Sequence, residues 1–220
     1  MKTLDYYIKN LEVLYEDNHV IVVNKPVDVL SQKDITGDFS LVEIVKGYLK
    51  IKYNKPGDVY LGLVHRLDRR VGGVMLLAKT SKAAKRISEE IRTRNGFEKR
   101  YLALVEGSTP KNGVINIKLE KLKNLKAELS PLGKEAVLEY RTLEKNDKFS
   151  LVEIKLLTGR YNQIRVSFKS VGHPVVGDQK YGSRYDTDLK LVSYKLSFIH
   201  PVKNTRVEIE IKNPFLLNEL

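Results

Sequence analysis

The stretch Leu63-Val64-His65-Arg66-Leu67-Asp68-Arg69-Arg70-Val71-Gly72-Gly73-Val74 takes an apolar strand into a knot of charge with two glycines, and another apolar strand leaves it. A buried strand seldom ends in His-Arg-x-Asp-Arg-Arg unless those charges meet a ligand or one another. One reading is a salt-bridged, glycine-containing turn, and the other is a site. A carboxylate held among arginines stays ionised, with its pKa pushed down. That state suits a nucleophile or an electrostatic stabiliser of positive charge, and suits a general acid poorly.

Leu157-Thr158-Gly159-Arg160-Tyr161-Asn162-Gln163-Ile164-Arg165 reads as a strand end, a glycine and a helix start, bearing two arginines and two amides. Free backbone N–H groups at such a start favour anions, and a guanidinium holds a phosphate or carboxylate with two bonds. The plainer reading is a capped helix start with solvated arginines. In Lys99-Arg100-Tyr101-Leu102-Ala103-Leu104-Val105-Glu106-Gly107, one aromatic stands near the basic entry of a strand. Tyr101 is either a core residue or a platform for a stacked base.

Other chemistries lack their residues. The phosphate-cradling loops GxxxxGK[ST] and GxGxxG are missing, which argues against an ATPase, a GTPase or a nicotinamide enzyme. His19, His65, His173 and His200 lack ligand-like spacing, so no metal site is expected. There is no G-x-S-x-G elbow and no cysteine, which removes thiolate zinc sites, cysteine nucleophiles and disulfides together. The chemistry falls to carboxylates, Arg, Lys, Tyr or backbone, with no cofactor.

The elements that position these segments are strand-rich. Strands are predicted at Glu12–Tyr15, Val20–Asn24, Val59–Val64, Val74–Ala78, Arg100–Glu106, Val114–Leu119, Ala136–Leu143, Leu151–Leu157, Tyr194–Ile199 and Val207–Ile211. A helix behind the N-cap Ser40 presents Leu41, Ile44, Val45 and Tyr48. A second runs from about Ser81 to an Asn95-Gly96 stop with Ala84, Ile87 and Ile91 as its stripe. A third, about Tyr161 to Val171, presents Ile164, Phe168 and Val171. Strands mostly linked by hairpins predict an α+β fold with a mixed, mainly antiparallel central sheet and flanking helices, not a doubly wound one.

The 220 residues carry 39 Lys+Arg against 27 Asp+Glu, a net charge of +12, with 42% hydrophobic and 30% charged residues. This is ordinary globular usage, with an excess of positive charge that fits a polyanionic partner and fits a merely basic, solvated surface equally well. Basic side chains cluster over 79–100 and again at Lys118, Lys121, Lys123 and Lys126. The longest apolar run, Val74 to Ala78, is far short of the ~20 residues that span a bilayer. The start of the chain has no apolar signal region, so a soluble, cytoplasmic protein is expected.

Taken in order, LEVLYEDNHVIVVNKP (11–26), GLVHRLDRRVGG (62–73), KRYLALVEG (99–107) and LLTGRYNQIR (156–165) with GHPVVGDQKYG (172–182) resemble the RluA family of RNA pseudouridine synthases. The resemblance runs from about residue 11 to 211. It implies a single catalytic domain over 1–220 that isomerises a specific uridine of tRNA or ribosomal RNA, without metal or nucleotide cofactor. Asp68 matches the catalytic aspartate of the HRLD block. Arg66 matches the arginine that enters the RNA stack as the target uridine flips out. Tyr101 matches the tyrosine that stacks on the flipped base, and Arg165 the arginine that pairs with the catalytic aspartate. His65, Arg160 and Gln163, in the same blocks, are expected to bind substrate.

The chain departs from the family in places. The usual Thr-Ser-Gly after HRLD is Val71-Gly72-Gly73, and TGRxHQxRxH has Asn162 and Ser167 in its histidine places. These changes bear on substrate choice and local geometry. With the opening strands predicted from about residue 12, no N-terminal S4-type RNA-binding domain is expected, and a monomer is expected. Attack of Asp68 on the sugar, attack on the base and removal of a sugar proton are all compatible with these residues. Two other classes compete: a non-catalytic RNA binder, and a glycosidase-like hydrolase with Asp178 as second carboxylate. Asp178 is expected to shape a turn instead.

Overall fold

A computed structural model describes residues 3–123 and 126–217. In chain order its elements are α1 (Leu4–Lys9), β1 (Val13–Glu16), β2 (Val20–Lys25), α2 (Leu41–Lys52), β3 (Gly62–Leu63), β4 (Gly72–Ala78), α3 (Ser81–Thr93), β5 (Glu98–Glu106), β6 (Asn112–Lys121), β7 (Ala127–Leu129), β8 (Lys134–Lys145), β9 (Phe149–Leu156), α4 (Gln163–Ser170), β10 (Leu191–Ile199) and β11 (Arg206–Glu210). They fall into two compact units, Met1–Glu98 with Ser193–Ile211 and Lys99–Val192 with Lys212–Leu220.

In the first unit Asp17 makes the β1–β2 turn, its Oδ1 accepting the N–H groups of His19 and Val20 at 2.8 and 2.9 Å. β2 pairs antiparallel with β4 from Val20↔Ala78 to Lys25↔Gly73. β10 lies beside β4, and β11 pairs antiparallel with β10. Val20, Val22, Val74, Leu76, Leu196 and Phe198 form one core cluster with Ala83 and Ile87 of α3. Ile21, Val23, Met75 and Leu77 alternate to the opposite face and are also fully buried. With both faces covered, these strands read as continuous apolar runs instead of alternating ones. Burying Val74, Met75, Leu76 and Leu77 contributes at most roughly 6–12 kcal/mol, which makes β4 a firm base for the segment that enters it.

Ser40 starts α2 with a capping box: its hydroxyl accepts the Glu43 N–H while the Glu43 carboxylate accepts the Ser40 N–H. The second unit is a sheet in the order β5-β9-β8-β6-β7, antiparallel throughout. α4 packs Val166 against Leu119, Ala127, Ala136 and Tyr181. The fold class is α+β with mainly antiparallel strands, as predicted. No helix among the described residues is long and apolar enough to cross a membrane.

Several local expectations change. The strand predicted over Val59–Val64 is observed only at Gly62–Leu63; it stops short of Val64 where the His65 imidazole and not a further ladder residue takes the Leu76 N–H. α3 ends at Arg94 in the left-handed conformation (φ 56°), whose N–H bonds Glu90 O, one residue before the predicted Asn95-Gly96 stop. The third helix is shorter at both ends than predicted, and Val171 is 45% exposed instead of completing the stripe. α1 and β7 carried no periodic signal, being too short for one.

Candidate active site

His65, Arg66 and Asp68 lie on the segment between β3 and β4, where exposure alternates. His65 and Leu67 are buried, Arg66 is exposed and Asp68 is partly buried. The His65 ring faces inward, its Nε2 accepting the Leu76 N–H at 3.0 Å and its edge against Phe97. Arg66 points outward and makes no hydrogen bond or ion pair with the described residues.

The peptides on either side of Asp68 are clamped. The Ser31 hydroxyl donates to Leu67 O at 2.7 Å and accepts the Leu67 N–H at 3.0 Å. On the other side the Arg69 carbonyl accepts from the Asp28 N–H at 2.9 Å and from Lys25 Nζ at 3.2 Å. Arg69 Nη1 pairs with Asp38 at 2.6 Å, and the Val71 N–H closes a turn onto Asp68 O at 3.1 Å.

Lys25 is the unusual member. It is 1% exposed, and its ammonium also donates to Val29 O at 2.6 Å and Pro26 O at 2.9 Å. Burial pulls it down to about 7, opposed by the charges of Asp28 and Asp68 and helped by Arg69. Sequence reasoning passed over Lys25 and Ser31. For Lys25 a signal existed: with Ile21 and Val23 facing the core, strand alternation puts Lys25 on the same buried side.

Tyr101, Arg160, Gln163 and Arg165 lie in the second unit. Tyr101 is 5% exposed on β5, opposite Ile154 of β9. Gln163, 2% exposed, braces the loop before α4. Its Oε1 accepts from Thr158 Oγ1 and the Arg160 N–H, both at 2.9 Å, while Nε2 donates to Val137 O at 3.0 Å. The Arg160 N–H is therefore satisfied by a side chain and not offered to an anion. Exposed Arg160 bonds Glu135 O through Nε at 2.9 Å.

Arg165 is gripped by Asp178 through two bonds of 2.6 Å, and its guanidinium carbon lies 4.9 Å from the Tyr181 ring centre. Asn162, left-handed at φ 51°, does not cap α4 with its side chain. Its amide instead donates to Tyr181 Oη at 2.8 Å and reaches Arg165 Nη1 through Oδ1 at 3.4 Å. Asp178 does shape a turn, its carbonyl accepting from Tyr181 and Ser183 N–H. The carboxylate's further duty to Arg165 was not foreseen. Both its oxygens are engaged and it is fully buried, which weighs against its serving as a hydrolase's second carboxylate. Ser167, in the other histidine place, is fully buried, and its Oγ has no hydrogen-bond partner among the described residues.

The sequence pattern of the RNA pseudouridylate synthases matches residues 19–170, a span that includes the Asp68 turn, Tyr101 and Arg165. The chain belongs to that family. The resemblance to its RluA members holds across most of the length. The chain is 33% identical to an uncharacterized RNA pseudouridine synthase of Aquifex aeolicus, covering 93% of this chain and 70% of that one. It is equally close to the ribosomal large subunit pseudouridine synthase D of Xylella fastidiosa, covering 90% of this chain and 65% of the other. The chain thus spans about two thirds of the length of these relatives. The structure of human RNA pseudouridylate synthase domain containing 4 superposes with a TM-score of 0.81 at 24% identity, over 96% of this chain and 92% of that one. That of human domain containing 1 gives 0.75 at 26%, over 95% and 86%.

Membership makes the chain one of a family of isomerases that modify RNA. Among its described residues no cluster of three His, Asp or Glu side chains is arranged to hold a metal ion.

Proposed function

We propose that this synthase isomerises a specific uridine to pseudouridine, with Asp68 as catalytic carboxylate and Tyr101 and Arg165 in the roles their family blocks imply. The observation that carries the reading is Asp68 itself, a partly buried carboxylate whose neighbouring peptides are fixed by Ser31, Asp28 and Lys25, beside an outward, unengaged Arg66. Breaking the N1–C1′ bond builds charge toward an oxocarbenium, which an ionised carboxylate lowers in energy, covalently or electrostatically. Extruding the uridine costs a few kcal/mol, offset by stacking and by an inserted side chain, for which Arg66 has the exposure.

Relatives named for the large ribosomal subunit favour ribosomal RNA over tRNA as substrate. The proposal has chain 1–220 acting as one catalytic domain, as a monomer in the cytoplasm, with neither metal nor cofactor.

The test is release of tritium from C5-labelled uridine in unmodified ribosomal and transfer RNA transcripts, with wild type and Asp68→Asn in parallel. Release by wild type alone is expected. Equal release by the variant removes Asp68 from the chemistry, free uracil among the products points to hydrolysis, and binding without release from any transcript points to a non-catalytic binder.

A further inference from the structure

Lys99 and Tyr101 stand two residues apart on β5, so their side chains leave the same face of the strand. Arg100 between them leaves the opposite face and is neutralised by Glu153 at 3.0 Å. Lys99 is partly buried, and its ammonium reaches the loop before α4, where a Cβ built on Gly159 would lie 3.7 Å from Nζ. That loop, Leu157 to Asn162, contains no Asp or Glu that could pair with the ammonium.

Two other enclosed lysines are satisfied. Lys25 donates to three carbonyls, and Lys79 pairs with Glu16 at 2.6 Å. The Lys99 ammonium makes no hydrogen bond or ion pair with the described residues, while burial brings it down to about 8. A desolvated cation without a partner is unfavourable, and an arriving anion would supply the missing counter-charge.

We infer that Lys99 is an anion site for RNA, holding a backbone phosphate next to the uridine whose base stacks on Tyr101. The inference rests on the proposed function, because it takes the stacked base as its reference point. Two strand residues span about 6.6 Å, comparable with the distance from a pyrimidine ring to a phosphate of its own nucleotide. Lys99 then differs from the general basic surface: it fixes one phosphate, and so the register of one nucleotide. An ammonium suits a single phosphate oxygen approached end-on, and a guanidinium in its place keeps the charge.

The experiment measures affinity of the full chain for a short RNA with a single uridine, in an Asp68→Asn background that prevents turnover. The same RNA carries either normal phosphates or a neutral methylphosphonate on the 5′ or 3′ side of the uridine. Lys99→Met should weaken binding of the normal RNA by about tenfold to a hundredfold, as loss of a charge-assisted phosphate contact does. One of the two methylphosphonates should weaken the Lys99 protein similarly and leave the Met variant unaffected, so that the losses do not add. Lys99→Arg should recover most of the affinity. Fully additive losses, no loss with Met, or no measurable binding of the RNA overturns the inference. Lys99→Gln carries the same comparison if Met disturbs folding, as thermal unfolding would reveal. Tritium release by wild type decides the chemistry separately: release with additive losses removes only the phosphate site, and coupled losses without release remove only the isomerase reading.

Discussion

Arg165 and Asp178 meet side by side, Nε to Oδ2 and Nη2 to Oδ1, both at 2.6 Å, with side chains 7% and 0% exposed. The pair fixes the guanidinium plane, and Tyr181 beneath it and Asn162 at its edge remove the remaining freedom. Removing one partner of such a pair leaves a charge buried without compensation, at a cost of about 3–5 kcal/mol. Asp178→Asn should therefore lower the urea midpoint markedly and reduce kcat for tritium release more than it weakens RNA binding. An unchanged kcat in a folded Asp178→Asn protein would show that the orientation of Arg165 is irrelevant to turnover. Arg165→Lys should not substitute, since an ammonium has no planar fork to present.

Lys25 gives the stability a distinctive dependence on pH. In the unfolded chain its amine keeps a proton up to about 10.5, whereas in the folded chain it releases one near 7. Between these values the unfolded state binds more protons, so the Lys25 contribution to stability rises with pH across this window and is flat below it. Lys25→Met should be destabilised at neutral pH, because the carbonyls of Pro26, Val29 and Arg69 lose their donor. The stability gap between wild type and variant should widen from pH 7 to 10, by on the order of 4 kcal/mol at most. Urea titrations of both proteins across that range measure it. A constant gap would mean that Lys25 keeps an ordinary proton affinity.

The two glycines after the Asp68 turn are not equivalent. Gly73 has φ 115°, and a Cβ on it would lie 2.1 Å from the Ser193 carbonyl oxygen. Gly73→Ala must separate β4 from β10, and its expected result is a protein unfolded or insoluble at 37 °C. Gly72 lies outside the left-handed region, and its added Cβ would meet Lys25 O and Val27 Cγ2 at 3.1 Å, a crowding that a few tenths of an ångström relieves. Gly72→Ser, the residue usual in the family, should cost less than about 1 kcal/mol and leave turnover intact. Thermal unfolding of the two variants side by side decides this.

Much of the frame is legible because local and tertiary demands agree. Val20–Asn24 and Val74–Ala78 could be read from apolar runs alone, since both faces of those strands are covered. α2 could be read from Ser40 and Glu43, whose spacing is itself the cap. The candidate residues were located through family blocks more than through periodicity. What holds them was not legible, because it consists of side chains distant in sequence meeting backbone groups. Ser31 reaches Leu67, Lys25 reaches Arg69, and Asp178 reaches Arg165. The end of β3 short of Val64 has the same origin, a histidine ring taking an N–H that local pattern assigns to a strand. Asn162 in a histidine place reads as a loss until its left-handed backbone and two side-chain bonds are seen.

The clamps around Asp68 bear on who does the moving. A turn held by a hydroxyl on one side and by an ammonium and an amide on the other has little conformational entropy left to lose when a ligand arrives. If Asp68 is the catalytic carboxylate, rearrangement on encounter would fall on the RNA, which would have to open around a protein segment that is already set. Sites in loops, bulges or loosely paired stems would then be reached without any change in the protein, and stable duplexes would be disfavoured without any contact that reads their sequence. Selection of a target would in that case be written as much in the softness of the RNA as in its bases.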